Sequence, residues 1–554
     1  MDNKTIYLNI HFFVGNIQDA IYTDQIIEDY KGNPFLEALP PILSVDEAKI
    51  KLRNHPYYCV EERQLPAYLR LHCVERISDF VEPLSRAINL EQCISRMIRY
   101  GYKSRNPMTI NYVKQLNLGS EAIKSKDIAV YKEKDYIRST ASGLIILGIS
   151  GAGKTTDIES VLKLYPQVIV HKNYKERKFY LKQLVWIKLD CPHDGSIKGL
   201  CINFFIMIDR ILGTDYYKKF GRGKTTEQMI PEIGHVATLH GLGALVIDEI
   251  QNLDQAKSGG SEKMINFFVE LINTIGVPVI LIGTLKAQGL FTGVFRDSRR
   301  VSGEIDGIWD KYENDNEFKC VVEGLWKYQW TKNIAPLSPE IINSLYEESQ
   351  GILDIVVKIY KLAQWRAIAS KREIVDIPII KSVAKDSLKL IKPMLDALKS
   401  RNKDQIKQYS DLHISAENMQ NAKKVYTDTI NKLNNAKSLE KSLLAEKYES
   451  DNQLISEVSS WLIQSGYPSE KSLDIATRVA KDNKDKDITK LRQEAFIMAY
   501  NESNTEKLPV DPEPENKSFS QGKYKNGRNK ASKKENIETL KKNIKTSNTI
   551  EFLE

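Results

Sequence analysis

Short apolar segments alternate with longer segments of helical periodicity between residues 143 and 335. Short apolar runs bounded by polar or turn-forming residues indicate buried strands, and apolar residues that recur every three or four positions indicate helices. Strands and helices in alternation are typical of an α/β domain with a parallel sheet. The apolar runs predict five strands, at residues 144–147, 183–189, 244–248, 278–283 and about 318–322.

The segments on either side of this region have different patterns. Beyond residue 337 the periodicity is helical only, and it predicts helices at about 338–350, 352–370 and 377–400, with several more to about residue 500. Residues 1–125 are mixed, because turn-forming residues surround an apolar anchor at 33–41 and helical periodicity follows.

A chain of 554 residues is too long for one hydrophobic core, so we expect several domains. The pattern places an α/β core at 126–335 after a mixed N-terminal extension at 1–125. Helical segments follow at 336–400 and 401–500, and the chain ends in a tail at 501–554.

The tail is rich in Asn, Ser, Lys, Glu and Pro, and it cannot bury enough apolar surface to offset its conformational entropy. We therefore expect it to be disordered. Residues 516–550 contain ten Lys or Arg and two Glu. The net charge of this segment is therefore +8, which equals the net charge of the whole chain. The rest of the chain is neutral overall, so a nucleic-acid site on it has to be a local patch. The last residues, 550–554, are either a docking peptide for a partner or an incidental end.

Cysteine use and hydropathy give an expectation about location. Six cysteines without a CxxC pair suit reduced thiols. The longest apolar stretch without charge lies between Glu270 and Lys286 and is shorter than the about 18 residues that a membrane-spanning helix needs. The first residues lack the basic segment and the cleavage site of a signal peptide. We expect a cytoplasmic protein without a membrane partner.

A complete phosphate-binding pattern, GxxxxGK[ST], follows the first predicted strand of the core at residues 148–155. Backbone N–H groups of such a loop converge on phosphate oxygens, and the following helix adds the positive end of its dipole. Lys154 is expected to reach the β- and γ-phosphates of ATP, and Thr155 to coordinate Mg²⁺. The expected nucleotide-binding residues are Gly148, Ile149, Ser150, Gly151, Ala152, Gly153, Lys154, Thr155, Thr156 and Asp248.

Two acidic residues stand at the end of the predicted strand at 244–248. A buried strand would deliver Asp248 beside the phosphate-binding loop as a second Mg²⁺ ligand, with Glu249 as the general base that activates the attacking water. Asp-Glu at a strand end also occurs as plain strand capping. In combination with the loop at 148–155, however, the pair predicts a nucleotide hydrolase.

The next predicted strand leads to Thr284, which we expect to lie between the two acids and the γ-phosphate as a sensor. Farther along the chain, Arg299 and Arg300 end a predicted helix. An arginine at such a position stabilises transition-state charge, often in the nucleotide site of the next subunit. Hydrolysis would then require an oligomer. The alternative is a solvated basic helix end, and the sequence does not decide between the two arginines.

A basic, aromatic loop is predicted between two core helices at residues 216–224. It resembles a second phosphate-binding loop but lacks the first glycine of the pattern, since residue 218 is Lys. Cations interleaved with aromatic residues can contact a nucleic-acid backbone, so the loop is either a DNA contact or a solvated turn. The candidate DNA-binding residues are Lys218, Lys219, Arg222 and Lys224.

The strand–helix core, Thr284, the arginines and the helices that follow together resemble AAA+ ATPases. The resemblance implies a P-loop core with a parallel five-stranded sheet, a helical lid at 336–400 and a helical C-terminal region. A lid in that family often supplies a nucleotide-sensing arginine. Here the corresponding stretch at 349–358 offers Lys358 at best.

More specific strings are similar to the TnsC/TniB family, the AAA+ regulators of Tn-seven-type and related DNA transposons. The resemblance covers roughly residues 20–415. The strings lie at 165–171, 189–196, 246–251, 266–268, 275–279 and 282–284 in the core, and at 33–41, 96–107 and 350–358 outside it.

This resemblance implies a prokaryotic, DNA-associated regulator of transposition. ATP-bound subunits would form rings or filaments on double-stranded DNA, without base readout, and hydrolysis would end the assembly. A target selector of the TnsD/TniQ type would bind near the N-terminus, and transposase subunits of the TnsA/TnsB type near the C-terminus. The alternatives are an AAA+ helicase loader or replication initiator, a signalling NTPase without a DNA role, and a nucleotide-dependent scaffold with negligible turnover.

Overall fold

The structure is a computed structural model. It describes residues 13–125, 139–255, 265–266, 268–269, 271–291, 307–409, 416–482 and 487–505. The chain divides into two compact units, Met1–Lys437 and Ser438–Glu554.

The strands of the described residues form two sheets, both in the first unit. A five-stranded sheet has the order β5-β6-β7-β2-β8, and a three-stranded sheet has the order β1-β3-β4. The strands are β1 (Ile17–Asp19), β2 (Gly143–Gly148), β3 (Val168–Tyr174), β4 (Arg177–Leu184), β5 (Trp186–Asp190), β6 (Ala244–Asp248), β7 (Val279–Gly283) and β8 (Gly307–Trp309).

Every pairing in the five-stranded sheet is parallel. Residues of one strand alternate between two hydrophobic clusters: Ile280 and Ile282 belong to one, and Val279 and Leu281 to the other. The sheet is therefore covered on both faces, which explains why its strands read as continuous apolar runs. This confirms the predicted α/β class with five parallel strands, and β2, β6 and β7 confirm three of the predicted strands.

The fifth predicted strand, at 318–322, is wrong. These residues lie in a helix, Asn316–Trp326, whose first turn is capped by the Asp315 carboxylate. Phe318, Val322 and Leu325 are buried in it at helical spacing. A short apolar run does not distinguish a strand from one face of a helix, and the fifth strand of the sheet is β8 instead.

The predicted strand at 183–189 combines parts of two strands. β4 ends at Leu184 and pairs antiparallel with β3, whereas β5 begins at Trp186 and pairs with β6. Because the apolar run continues through Val185, the pattern contains no signal for this change of sheet.

The helices account for most of the remaining described residues. In chain order the α-helices are α1 (Pro34–Glu37), α2 (Val45–Leu52), α3 (Ala67–Glu75), α4 (Ser85–Lys103), α5 (Ile110–Ser125), α6 (Lys154–Leu162), α7 (Ile197–Leu212), α8 (Thr226–Leu239), α9 (Gln288–Phe291), α10 (Asn316–Trp326), α11 (Pro339–Ser349), α12 (Leu353–Ala369), α13 (Ile377–Ser387), α14 (Lys392–Ser400), α15 (Lys403–Tyr409), α16 (Ala416–Gln464), α17 (Ser469–Asp482) and α18 (Ile488–Thr505). Short 3-10 helices occupy Glu28–Tyr30, Val60–Gln64, Arg76–Asp79, Ile250–Gln255 and Leu285–Ala287, and π-helical turns occupy Tyr217–Gly221 and Leu271–Ile275.

The helices after residue 337 agree with the sequence pattern except at one point. α11 and α12 confirm the helices predicted at 338–350 and 352–370. The helix predicted at 377–400 is divided into α13 and α14, and Pro393 stands in the first turn of α14. A proline is tolerated there because the N–H that it lacks has no partner in the first turn of a helix.

The N-terminal region packs against both the core and the helices of the predicted lid. Phe35 and Tyr102 belong to the same buried cluster as Ile280, and the Tyr102 hydroxyl donates to the Gly241 carbonyl over 2.7 Å. The buried guanidinium of Arg70 donates two hydrogen bonds of 2.7 Å to the Glu373 carboxylate, just beyond α12. The N-terminal region therefore packs close enough to the core to contribute side chains to a binding site there.

The second unit contains a small helical core of its own, with Val458, Leu462, Val479 and Leu491 buried. The tail predicted at 501–554 begins inside α18, which extends to Thr505. The rest of that tail lies outside the described residues. Within the part of the chain that the structure describes, no helix is long and apolar enough to cross a membrane.

Candidate nucleotide-binding site

The loop between β2 and α6 has the backbone of a phosphate cradle. Gly151 and Gly153 have φ angles of +81° and +91°, which L-residues with side chains rarely adopt. A Cβ atom at Gly148 would lie 2.2 Å from the Trp309 carbonyl oxygen of the neighbouring strand β8. The glycines of the pattern are therefore required by the backbone itself, and α6 begins at Lys154 with its N-terminus toward the loop.

The Lys154 side chain is buried beneath this loop. Its ammonium group donates to the carbonyl oxygens of Gly148 and Ile149 over 3.0 and 2.8 Å. Both acceptors belong to the loop, so the charge lies where phosphate oxygens would be bound.

The hydroxyl of Thr155 donates to Oδ2 of Asp248 over 2.9 Å. Asp248 is buried at the end of β6, and its other oxygen accepts the backbone N–H of Glu249 over 2.9 Å. A hydroxyl and a carboxylate are hard oxygen donors of the kind that Mg²⁺ takes alongside phosphate oxygens and water. The pair therefore fits a magnesium ion whose other ligands would be nucleotide phosphate oxygens and water.

A buried lysine that the sequence analysis missed lies next to this pair. The Lys188 ammonium is 3.4 Å from Oδ2 of Asp248, 3.3 Å from Asp190 and 3.2 Å from Glu159. Burial lowers the pKa of Lys188, but the three carboxylates outweigh it and the pKa is raised. The available signal was a lysine in the middle of the apolar strand β5, which is rare without a partner. Lys188 balances the negative charge around Asp248.

Glu249 follows Asp248 in a left-handed backbone conformation, with φ +56°. Desolvation in the cleft raises its pKa, the charge of Asp248 adds to this, and a hydrogen bond from Gln251 opposes it. The Nε2 group of Gln251 donates to Oε2 of Glu249. The Glu249 carboxylate is thus held at the edge of the site, next to the proposed metal ligand.

Thr284 comes directly after β7, the strand that lies between β2 and β6. Its backbone N–H donates to Oε1 of Gln251 over 3.0 Å. Its hydroxyl oxygen is buried and has no hydrogen-bond partner among the residues that the structure describes. A buried polar group without a partner is costly, and a phosphate oxygen would satisfy this one.

These groups line a cleft of about 580 Å³, a size typical of ligand pockets. The lining also includes apolar residues that the sequence analysis did not single out: Phe80, Leu84, Tyr312, Leu353 and Val357. Two of these precede α4 and two lie in α12. A lining that combines cations with apolar side chains is suited to a nucleotide, which has charged phosphates and a base.

Two further charged groups line the cleft. Lys358, the candidate for a second sensor, forms an ion pair of 2.7 Å with Asp354, one turn earlier in α12. Desolvation raises the pKa of Asp157 in α6 to about 7, against the opposing charge of Arg86. Asp157 therefore changes its charge near neutral pH.

The structure brings the loop at 148–156, Asp248, Glu249 and Thr284 together. The predicted arginines, Arg299 and Arg300, lie outside the described residues.

In the basic loop at 216–224, the aromatic residues pack against each other and are not available between the cations. The rings of Tyr216 and Phe220 stack on each other, with centroids 5.8 Å apart, and are half-buried. Lys219 forms an ion pair with Asp215, and Lys224 forms one with the buried Glu232. The aromatic residues therefore stabilise the loop, and two of its four cations already have acidic partners.

The other two cations, Lys218 and Arg222, are exposed. The described residues provide no ion-pair partner for either of them.

A protein-family model for an AAA domain matches residues 137–291. Among solved structures, the chain is similar to the Orc1 protein of Aeropyrum pernix in complex with DNA, with 13% sequence identity and a TM-score of 0.32 over 56% of this chain and 82% of that one. It is also similar to Cdc6p of Pyrobaculum aerophilum, with 12% identity and a TM-score of 0.32 over 59% and 84%. The RuvB branch migration motor of Thermotoga maritima matches with 14% identity and a TM-score of 0.28 over 54% and 85%. The comparison with curated protein sequences found no match.

The matched domain contains the phosphate-binding loop, Asp248, Glu249 and Thr284. In the sheet, the strand of Thr284 lies between the strand of the loop and the strand of the acids. The chain has the AAA+ P-loop fold, which confirms the predicted fold class and is a fold of nucleotide-hydrolysing ATPases.

Proposed function

We propose that the protein is an ATP-hydrolysing, sequence-nonspecific DNA-binding regulator of DNA transposition. In this proposal it oligomerises on target DNA, couples a target selector to the transposase, and is released by hydrolysis. The observation that carries the ATPase part is the convergence of Lys154, the Thr155–Asp248 pair, Glu249 and Thr284 in one cleft.

Each of these groups has a chemical task in hydrolysis. Lys154 and the loop amides bind the phosphates, and Thr155 and Asp248 would hold a Mg²⁺ ion that would neutralise part of the phosphate charge. A water oxygen bonds to the γ-phosphorus while Glu249 takes its proton, and the bond from the γ-phosphorus to the β-phosphate oxygen breaks to give ADP and phosphate.

An oligomer is part of the proposal because the described cleft lacks one component. Its described lining contains two lysines and no arginine. An arginine that stabilises transition-state charge would therefore come from outside this lining, and Arg299 or Arg300 of a neighbouring subunit is the candidate. Nucleotide bound between subunits stabilises the assembly by mass action, and its hydrolysis removes that stabilisation.

Mixing two inactive variants tests this shared site. Lys154→Ala removes the phosphate contact of a subunit's own site, whereas Arg299→Ala or Arg300→Ala removes the group offered to the neighbour. Each variant alone is expected to lose ATP turnover. A mixture of Lys154→Ala with the correct arginine variant regains part of it, because some interfaces then pair an intact loop with an intact arginine. No recovery with either arginine variant would contradict the shared site.

DNA binding is assigned to the basic loop at 216–224. The exposed Lys218 and Arg222 support this assignment, because their charges are available to phosphates. Contacts to phosphates give affinity without base readout, and this affinity falls steeply with salt.

The transposition role is supported by the sequence strings shared with the TnsC/TniB family. On this basis residues 1–125 would contact a TnsD/TniQ-type selector, and 501–554 would dock TnsA/TnsB-type transposase subunits. The division of the chain into five segments, the C-terminal helical region at 401–500 included, is part of the same proposal.

The role is tested by reconstitution with the products of the neighbouring genes on target DNA. Insertion that requires this protein and ATP would support the proposal. ATP turnover stimulated by DNA, without any insertion activity, would favour a helicase loader or replication initiator instead. A rate of ATP turnover that is the same with and without DNA would indicate a signalling NTPase.

A further inference from the structure

Gln251 connects two groups of the site that lie on different strands. It stands in the 3-10 turn Ile250–Gln255, two residues after Glu249. One end of its carboxamide accepts the backbone N–H of Thr284 over 3.0 Å, and the other end donates to the Glu249 carboxylate. The side chain therefore bridges the end of β6 and the end of β7.

The chemistry of these partners fixes the orientation of the amide. A backbone N–H can only donate, so the group that faces Thr284 has to be the Gln251 oxygen. The NH₂ group is then directed at Glu249, where a carboxylate can only accept. The bridge is satisfied at both ends only when residue 251 carries an acceptor and a donor together, as glutamine does.

The backbone of β7 is adapted to this bridge at Gly283. A Cβ atom there would lie 2.5 Å from Cγ2 of Ile250 and 2.8 Å from Oε1 of Gln251. Glycine thus permits the 3-10 turn to pack directly on the strand that carries Thr284. The contact between the turn and the strand is close enough for a displacement of one to shift the other.

We propose that Gln251 is a positioning residue that ties Glu249 to the strand end at Thr284. The inference rests on the proposed function, in which Glu249 activates water and the Thr284 hydroxyl contacts the γ-phosphate. Both groups have to reach one phosphate group and its attacking water, and they lie on different strands. The bridge sets the distance between them, so that the base is aligned when Thr284 is in place.

Three substitutions test this role. Gln251→Glu keeps the size of the side chain and an acceptor for Thr284, but replaces the donor that faces Glu249 with a like-charged oxygen. Gln251→Ala removes both contacts. The matched control is Gln228→Glu, because the Gln228 oxygen also accepts a backbone N–H, from Thr225 at 3.1 Å, but at the start of α8 and outside the described lining of the cleft.

The expected result is a loss of kcat without a loss of nucleotide binding. Misplacement of a catalytic group lowers the rate about tenfold to a hundredfold, and we expect this for Gln251→Glu and Gln251→Ala. The dissociation constant of a fluorescent ATP analogue should stay within about twofold, because neither contact is to the binding loop. The lifetime of ATP-dependent complexes on DNA, a readout separate from turnover, should lengthen in both variants.

Several outcomes would overturn the inference. Wild-type kcat in Gln251→Glu would show that the amide donor does not align Glu249. A lower thermal unfolding temperature with unchanged kcat in Gln251→Ala would assign Gln251 a packing role only. If the unsubstituted protein does not turn over ATP, the proposed function fails and the inference fails with it. If it does turn over ATP and Gln251→Glu equals it, the inference alone fails.

Discussion

The Thr155 hydroxyl and the Asp248 carboxylate are 2.9 Å apart, although 93 residues separate them in the chain. One stands in the first turn of α6 and the other at the end of β6. The parallel sheet brings these two ends to the same edge, as it does for Thr284 at the end of β7. The two proposed magnesium ligands are therefore preorganised by the fold.

Removal of one of these ligands should weaken the response to magnesium. Thr155→Val keeps the shape of the side chain but removes the hydroxyl. We expect the Mg²⁺ concentration for half-maximal ATP turnover to rise at least about tenfold, the lower end of the effect seen even for indirect metal contacts. Ser160→Ala, a hydroxyl deletion on the same helix, is the control and should leave the Mg²⁺ titration unchanged. An unchanged titration in Thr155→Val would remove Thr155 from the metal site.

Lys188 should be needed for stability. Lys188→Met leaves Asp248, Asp190 and Glu159 without their shared cation, and loss of one partner of a buried ion pair costs about 3–5 kcal/mol of unfolding free energy. Urea unfolding measures this loss. The control is Lys172→Met, whose ion pair with Asp19 is exposed and is worth about 1 kcal/mol or less. Equal effects of the two substitutions would contradict the role of Lys188.

Asp157 should make stability depend on pH. Its pKa is raised from 3.8 to about 7 in the folded protein, so the folded state binds the proton more tightly than the unfolded state. Stability from this group is complete below pH 3.8 and is lost as the pH rises through about 7. The unfolding free energy of Asp157→Asn, relative to the unsubstituted protein, should therefore increase between about pH 5 and pH 8.

The control for this pH series is Asp215→Asn. The hydrogen bond from Lys219 holds the pKa of Asp215 below its usual value, so Asp215 stays ionised over this range. The unfolding free energy of Asp215→Asn, relative to the unsubstituted protein, should not change between about pH 5 and pH 8. A flat profile for Asp157→Asn as well would show that Asp157 does not titrate near neutral pH.

The basic loop should contribute to the salt dependence of DNA binding through its two exposed cations. Lys218 and Arg222 changed together to Ala should flatten the slope of log affinity against log salt by about 2, since each phosphate contact contributes about 0.9. Lys219→Ala with Lys224→Ala is the comparison, and a smaller change is expected because both cations have acidic partners. If the slope is unaltered when Lys218 and Arg222 are changed to Ala, DNA binds to another surface.

The sequence was sufficient for the parts of the site that are local in the chain. The glycines of 148–155 and the acidic end of β6 carry their chemistry in short patterns, and the structure brings both together. The sequence was insufficient where a role depends on the fold. Lys188 in an apolar strand signals a buried partner, but the sequence does not show that Glu159 and Asp248 from two other segments join Asp190 around it.

The errors in the fold have the same cause. Residues 318–322 form an apolar run that suits a strand or a helix face, and the choice depends on Asp315 as a cap and on which segment completes the sheet. The lining of the cleft includes both Phe80, from before α4, and Leu353 in α12. No pattern within either segment indicates that they meet across one cleft.

The central claim, that ATP hydrolysis releases an assembly from DNA, is tested most directly with Glu249→Gln. This substitution keeps the size of the side chain and removes the base, so ATP should bind and remain unhydrolysed. DNA binding is measured after ATP addition, with Lys154→Ala as the control that lacks the phosphate contact. We expect Glu249→Gln to form a long-lived, ATP-dependent oligomer on double-stranded DNA, and Lys154→Ala to form none. A Glu249→Gln protein that binds ATP but does not persist on DNA would contradict the claim.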